Sequence, residues 1–226
     1  MNARRLRLSV LAGVLGLACI FQAGCGGGDD GISNKNPGLN DLNIVVAFGD
    51  SLTAGSECPC VSYPTRLSGM IGKVVYNTGS GGSQAGEGVS RIQGVINSYH
   101  PAFMLILYGV NDVIHSGSPD GAAAAVGQMV AICRQNNVVP VVATYPRPIE
   151  GHALFAAGTI RLNRAIRDLA KAEGIRYVDL EQEFSMGKDP VIPEWPTTDP
   201  LLMMPDGLHP NDAGTQIMAM AFADLF

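Results

Sequence analysis

Hydrophobic positions gather in five short runs: 43–48 (NIVVAF), 73–76 (KVVY), 102–108 (AFMLILY), 138–144 (VVPVVAT) and 176–180 (RYVDL). Runs that are apolar nearly throughout predict strands covered on both faces, as in a parallel sheet. Between them, apolar residues recur at helical spacing over 63–71, 86–98, 120–136 and 154–173. A last helix fits 211–225, with Asn211 as its N-cap. Strands alternating with helices predict a doubly wound α/β fold: a three-layer α/β/α sandwich on a five-stranded parallel sheet. At 226 residues the chain suits one domain, and no internal repeat is visible. Six prolines (Pro190, Pro193, Pro196, Pro200, Pro205 and Pro210) mark 182–210 as a long connection. Loops of that length usually serve a function.

The first 24 residues follow a different pattern. Arg4, Arg5 and Arg7 precede an apolar run from Leu8 to Phe21. A membrane-crossing helix needs about 20 residues, so this run is too short to span. A basic start, a short apolar run and then small residues read as a secretory signal. The run ends Gln22-Ala23-Gly24-Cys25, which resembles a bacterial lipobox, with Gln22 where an aliphatic residue is usual. Residues 1–24 are therefore expected to be a lipoprotein-type signal peptide and Cys25 the lipidated residue. The polar, Gly-rich stretch 25–41 would be a flexible linker and 42–226 the working domain. The expected location is the bacterial cell envelope, lipid-anchored and facing the periplasm or the exterior. The alternative is a soluble secreted protein.

Charge and cysteines narrow the picture. The formal net charge is −5. Removing the three leader arginines leaves 12 basic against 20 acidic residues, a charge of −8. With no basic cluster, nucleic acid is an unsuitable partner. Without Cys19 and Cys25, the chain keeps Cys58, Cys60 and Cys133. Three is odd, so at least one is free or pairs between chains. Cys58-Pro59-Cys60 has too few ligands for zinc, and a disulfide in so tight a ring would be strained; a structural role or none is expected. No metal constellation is apparent.

In an open α/β sheet, ligands sit beyond the carboxyl ends of the strands, where the strand order reverses. Gly49-Asp50-Ser51-Leu52-Thr53 follows the first strand, Asn77-Thr78-Gly79-Ser80-Gly81-Gly82 the second, and Gly109-Val110-Asn111-Asp112 the third. Asp206-Gly207-Leu208-His209 lies beyond the fifth. With the flavodoxin-like order 2-1-3-4-5, the first three motifs are neighbours. These parts suit acyl transfer. A serine hydroxyl needs a base, and His209 could take its proton. A carboxylate such as Asp206, three residues earlier, could hold the imidazole in the right tautomer. The amides of Ser51 and Gly82 and the side-chain amide of Asn111 could meet an oxyanion.

These four blocks, in this order and spacing, resemble the SGNH (GDSL-type) hydrolases over about residues 43–226. The stretch 82–92 (GSQAGEGVSRI) is similar to the bacterial periplasmic arylesterase and lysophospholipase branch, with Ser83 where that branch often has Asp. The resemblance implies the SGNH-hydrolase fold, Ser51 as nucleophile, His209 as base and Asp206 as its orienter. It implies Ser51, Gly82 and Asn111 as oxyanion donors, and no cofactor. Gly81 competes for the block glycine, and the spacing from Asn77 favours Gly82. The substrate would be a small-molecule or lipid ester with a short to medium acyl chain, and the protein a monomer. Carbohydrate O-deacetylase and thioesterase are alternatives. A lipoprotein that binds an acylated glycan without turnover is the alternative of another class.

Other residues carry plainer expectations. Thr53 breaks the G-x-S-x-G of a lipase elbow, and no dinucleotide or P-loop glycine pattern fits. Asp112 is expected to shape its loop. His100, His115 and His152 are expected to be solvated, and Arg161, Arg164, Arg167 and Lys171 to form a solvated helix face. Trp195, Met203 and Met204 could line an acyl pocket or pack in the core. The short segment 113–120 leaves no room for a large lid.

Overall fold

The structure, a computed structural model, describes residues 36–186 and 197–226. The expected signal segment, Cys25, most of the expected linker and Trp195 lie outside the described residues. The elements run β1 (Asp41–Gly49), α1 (Ser51–Ala54), α2 (Tyr63–Ile71), β2 (Val74–Asn77), α3 (Ala85–Tyr99), β3 (Pro101–Leu107), α4 (Val110–Ser116), α5 (Pro119–Gln135) and β4 (Val139–Ala143). A 3₁₀ turn (Glu150–Phe155), α6 (Ala156–Glu173), β5 (Arg176–Val178), α7 (Leu180–Glu183), a second 3₁₀ turn (Pro200–Leu202) and α8 (Asp212–Ala223) complete the order.

All five strands are parallel, in the order β2-β1-β3-β4-β5. Val45 sits between Val75 and Phe103, and Ile106 between Phe48 and Val142. The three inner strands carry the core residues Val45–Phe48, Met104–Leu107 and Val141–Ala143, all buried. The edge strands depart from the expectation of cover on both faces. Val74, Tyr76 and Tyr177 are 47%, 38% and 41% exposed. The helices cover the middle of the sheet, and the short edge strands lie at the margin of that cover.

Helix α2 packs on α8, with Tyr63 stacked on Phe222 at 5.0 Å between ring centroids. Helix α3 packs on α5, and α5 on α6. Asn211 caps α8, its Oδ1 accepting the Gly214 N–H at 3.1 Å. Strand β1 starts at Asp41, and the Asn40 side chain donates to the carbonyls of Asn136 and Asn137, so ordered contacts begin before residue 42. Helices α1, α4 and α7 follow β1, β3 and β5 almost without a break. One to two turns are too short to leave a periodic signal in the sequence.

One plainer expectation changes, and two that were open are decided. Arg167 does not belong to a solvated face: it is half-buried and pairs with Asp179 and Glu181 at 2.7 and 2.6 Å. Met203 is buried in the core. Cys58 and Cys60 form a disulfide, and Cys133 is the free thiol among the described residues. Burial pushes that thiol up to about 12, which keeps it protonated and unreactive. Among the described residues, no helix is long and apolar enough to cross a membrane.

Candidate active site

Strand order reverses between β1 and β3, and the polar motifs gather at their carboxyl ends. Helix α1 begins at Ser51, directly after β1. Asp50 caps it, with Oδ1 accepting the Leu52 N–H at 3.0 Å. The Ser51 N–H stands at the helix start, where no carbonyl four residues back can accept it. The loop after β2, tied to β1 by the Ser80 N–H donating to the Gly49 carbonyl at 2.9 Å, carries Gly82 at φ +73°, a left-handed conformation that a side chain would strain. Asn111 lies in the first turn of α4 and is buried. Its Nδ2 donates to the Ser83 carbonyl at 3.1 Å, which ties the loop after β2 to the end of β3. A primary amide has two N–H groups, so one remains available.

His209 and Asp206 come from the loop before α8. That loop closes on itself: Met204 N–H donates to the His209 carbonyl at 2.7 Å, and Met203 bridges Pro210. Asp206 Oδ1 accepts the backbone N–H groups of Leu208 and His209 at 2.9 and 3.1 Å. Asp206 Oδ2 lies 2.5 Å from His209 Nδ1, and His209 Nε2 lies 2.9 Å from Ser51 Oγ. One hydrogen-bonded chain thus links hydroxyl, imidazole and carboxylate across 158 residues of sequence.

Electrostatics separate the carboxylates. Partial burial raises the pKa of Asp206, but the His209 ring and the two backbone amides outweigh it, and the group ends below its ordinary value. Asp206 therefore stays ionised beside the imidazole. Asp50 is the opposite case. Complete burial drives it up, the Tyr145 hydroxyl and the Leu52 amide pull it back, and it settles at about 6. Tyr145 donates to Asp50 Oδ2 at 2.6 Å. Burial also raises Asp112, whose Oδ2 accepts the Ala85 N–H at 2.9 Å. Asp112 thus anchors the start of α3, in keeping with its expected loop-shaping role.

The structure brings Ser51, Asp206 and His209 together and sets Asn111 against the loop that carries Gly82. Two residues were missed. His152 is not simply solvated: it is half-buried, and its Nδ1 lies 2.7 Å from the Asp206 carbonyl. Tyr145 holds the carboxylate that caps α1, and follows β4 by two residues. The rule that drew attention to polar residues after the other strands applies equally to Thr144-Tyr145. No sequence signal marks His152, because its partner is a backbone carbonyl 54 residues away. No group of three His, Cys, Asp or Glu side chains able to hold a metal occurs among the described residues.

A doubly wound parallel sheet with a serine–imidazole–carboxylate chain at its switch point defines the class: an ester hydrolase of the SGNH type. The model of the GDSL-like lipase/acylhydrolase family matches residues 47–217, and the chain belongs to that family. It is 26% identical over 175 residues to an arylesterase of Vibrio mimicus, covering 74% of this chain and 80% of that one. It is 24% identical over 172 residues to thioesterase 1/protease 1/lysophospholipase L1 of Escherichia coli strain K12, covering 75% and 76%. A carbohydrate acetylesterase family member from Sinorhizobium meliloti shares the fold, with a TM-score of 0.66, 18% identity, and coverage of 81% of this chain and 97% of that one.

Proposed function

We propose that this chain hydrolyses carboxylic esters of short to medium acyl length through an acyl-enzyme at Ser51. The supporting observation is the unbroken chain from Ser51 Oγ through His209 to Asp206. In this reading Asp206 keeps the proton on Nδ1, which leaves the Nε2 lone pair facing the hydroxyl. Nε2 takes the Ser51 proton as Oγ bonds to the carbonyl carbon. The resulting oxyanion is met by the amides of Ser51 and Gly82 and the second N–H of Asn111. The tetrahedral species collapses, the bond to the alcohol breaks, and the alcohol leaves with the proton from Nε2. Water then gives a proton to Nε2 and its oxygen to the acyl carbon. The C–Oγ bond breaks, Ser51 recovers a proton, and the acid departs.

The relatives' names favour aryl esters and lysophospholipids as first substrates, and a thioester would follow the same steps. We further propose that the protein acts as a monomer, anchored to a membrane through lipid on Cys25 and facing the periplasm or exterior. A Cys25→Ser variant that still fractionates with membranes would refute the anchor. Hydrolysis of p-nitrophenyl esters from acetate to palmitate, wild type beside Ser51→Ala, tests the catalytic reading. Ser51→Ala is expected to abolish turnover and labelling by a fluorophosphonate while leaving the fold intact. Turnover near the wild-type level in that variant would remove Ser51 from the role. A folded wild type that neither turns over nor labels would indicate a binding protein.

A further inference from the structure

A shallow cleft opens beside Ser51 and His209, between the segment after α1 and the start of α8. Glu57 and Cys58 line one side, Pro210 and Thr215 the other. Gly82 and Asn111 are not among its lining residues. An ester carbonyl on Ser51 must turn its oxygen toward Gly82 and Asn111. Its leaving oxygen must stay within reach of His209 Nε2, which gives it a proton. A cleft that touches nucleophile and base, but neither of those oxyanion donors, lies on the leaving-group side.

The outer wall is built to hold its shape. Helix α1 ends at Gly55, in a left-handed conformation, and a Cβ there would come within 2.7 Å of the Ser62 Cβ. The two ends of the segment between α1 and α2 are therefore pinched together. Within it, the Cys58–Cys60 disulfide closes a small ring around Pro59. The Thr215 hydroxyl faces Cys60 Sγ at 3.9 Å, so the ring rests on α8.

Glu57 gives this wall its sign. Its carboxylate accepts the Ser56 hydroxyl at 3.3 Å, and no Lys or Arg pairs with it among the described residues. Arg66, on the adjoining helix, is engaged by Asp212 and Gln216. We propose that the cleft is the leaving-group subsite, that it takes a neutral or cationic alcohol, and that Glu57 discriminates against anionic ones. The proposal rests on the acyl-enzyme reading and adds the class of alcohol to it.

Two acetate esters of matched size test it: 4-(trimethylammonio)phenyl acetate and 4-carboxyphenyl acetate, with wild type beside Glu57→Gln. Intrinsic reactivity cancels when each substrate is compared between the two proteins. A unit charge about 6 Å away in water-like dielectric changes binding about threefold. Glu57→Gln is therefore expected to lower kcat/KM for the cation and raise it for the anion, shifting their ratio about tenfold. Half-molar salt should shrink that shift, because the charge is exposed. A ratio unchanged by the substitution, in an enzyme whose turnover depends on Ser51, overturns the subsite and leaves the acyl-enzyme intact. Turnover that survives Ser51→Ala overturns the acyl-enzyme reading itself. If neither ester is turned over, fluorophosphonate labelling of Ser51 supplies the readout. Phenyltrimethylammonium should protect the wild type better than benzoate does, and Glu57→Gln should erase the difference; equal protection by both ions in the wild type refutes the proposal.

Discussion

Tyr145→Phe removes one oxygen from the interior and leaves a buried carboxylate short of a partner. Asp50 is fully buried, and two bonds hold it: the Leu52 N–H on Oδ1 and the Tyr145 hydroxyl on Oδ2. Burial raises Asp50 from 3.8 to about 6, so it is protonated at pH 5 and ionised at pH 8. Between about pH 4 and pH 6 the native protein keeps a proton that the unfolded chain has released. Stability therefore falls as pH rises through that window, by about 3 kcal/mol at 1.36 kcal/mol per unit. Losing the Tyr145 hydroxyl costs about 1 kcal/mol when Asp50 is neutral and about 2 to 2.5 kcal/mol when it is charged. The difference corresponds to raising Asp50 by about one further unit, which extends the same downward slope to about pH 7. Urea unfolding of wild type and variant at pH 5 and pH 8, followed by circular dichroism, measures both numbers. A destabilisation equal at the two pH values would refute the reasoning, since it would mean that the bond does not act on an ionised Asp50.

Substitutions at three other residues probe the site from different sides. Asp206→Asn leaves the shape of the loop but no longer selects the Nδ1–H tautomer; kcat should fall by up to about 10⁴-fold, and a loss under tenfold would make Asp206 a loop residue only. Asn111→Ala should raise the kcat barrier by about 2.7–4 kcal/mol, beyond any loss of stability from the unpaired Ser83 carbonyl; a change confined to KM would make Asn111 a ground-state contact. His152→Ala removes a bond to the Asp206 carbonyl and should cost about 1 kcal/mol in urea unfolding, with His152→Asn, whose amide can donate in place of Nδ1, recovering most of it. Equal losses in the two His152 variants would show that the ring's bulk matters and the bond does not.

Sheet and site were legible to different depths. The five strands and their parallel pairing follow from short apolar runs, and the long helices from apolar residues at helical spacing. Local periodicity suffices there, because every inner strand is buried on both faces. The blocks around Ser51, Asn111 and His209 were legible because turn chemistry and strand ends confine polar residues to a few places. The short helices α1, α4 and α7 were not, since four to seven residues carry no period. Arg167 was misplaced for a related reason: helical spacing fixes a residue's face but not the carboxylates of Asp179 and Glu181 that another element brings to it.

The amino-acid sequence alone determined the class of fold, the family and the candidates for the chemistry, because each depends on neighbours along the chain. Tertiary structure decided what depends on distance through space. It set the 2.9 Å between Ser51 and His209, the burial that lifts Asp50, and the Tyr145 and His152 bonds that hold the site from behind. It also placed Glu57 and Cys58 on one cleft with Ser51 and His209. Burial and charge interaction depend on which surfaces meet when helices and sheet close on one another, and no local pattern of residues encodes that meeting.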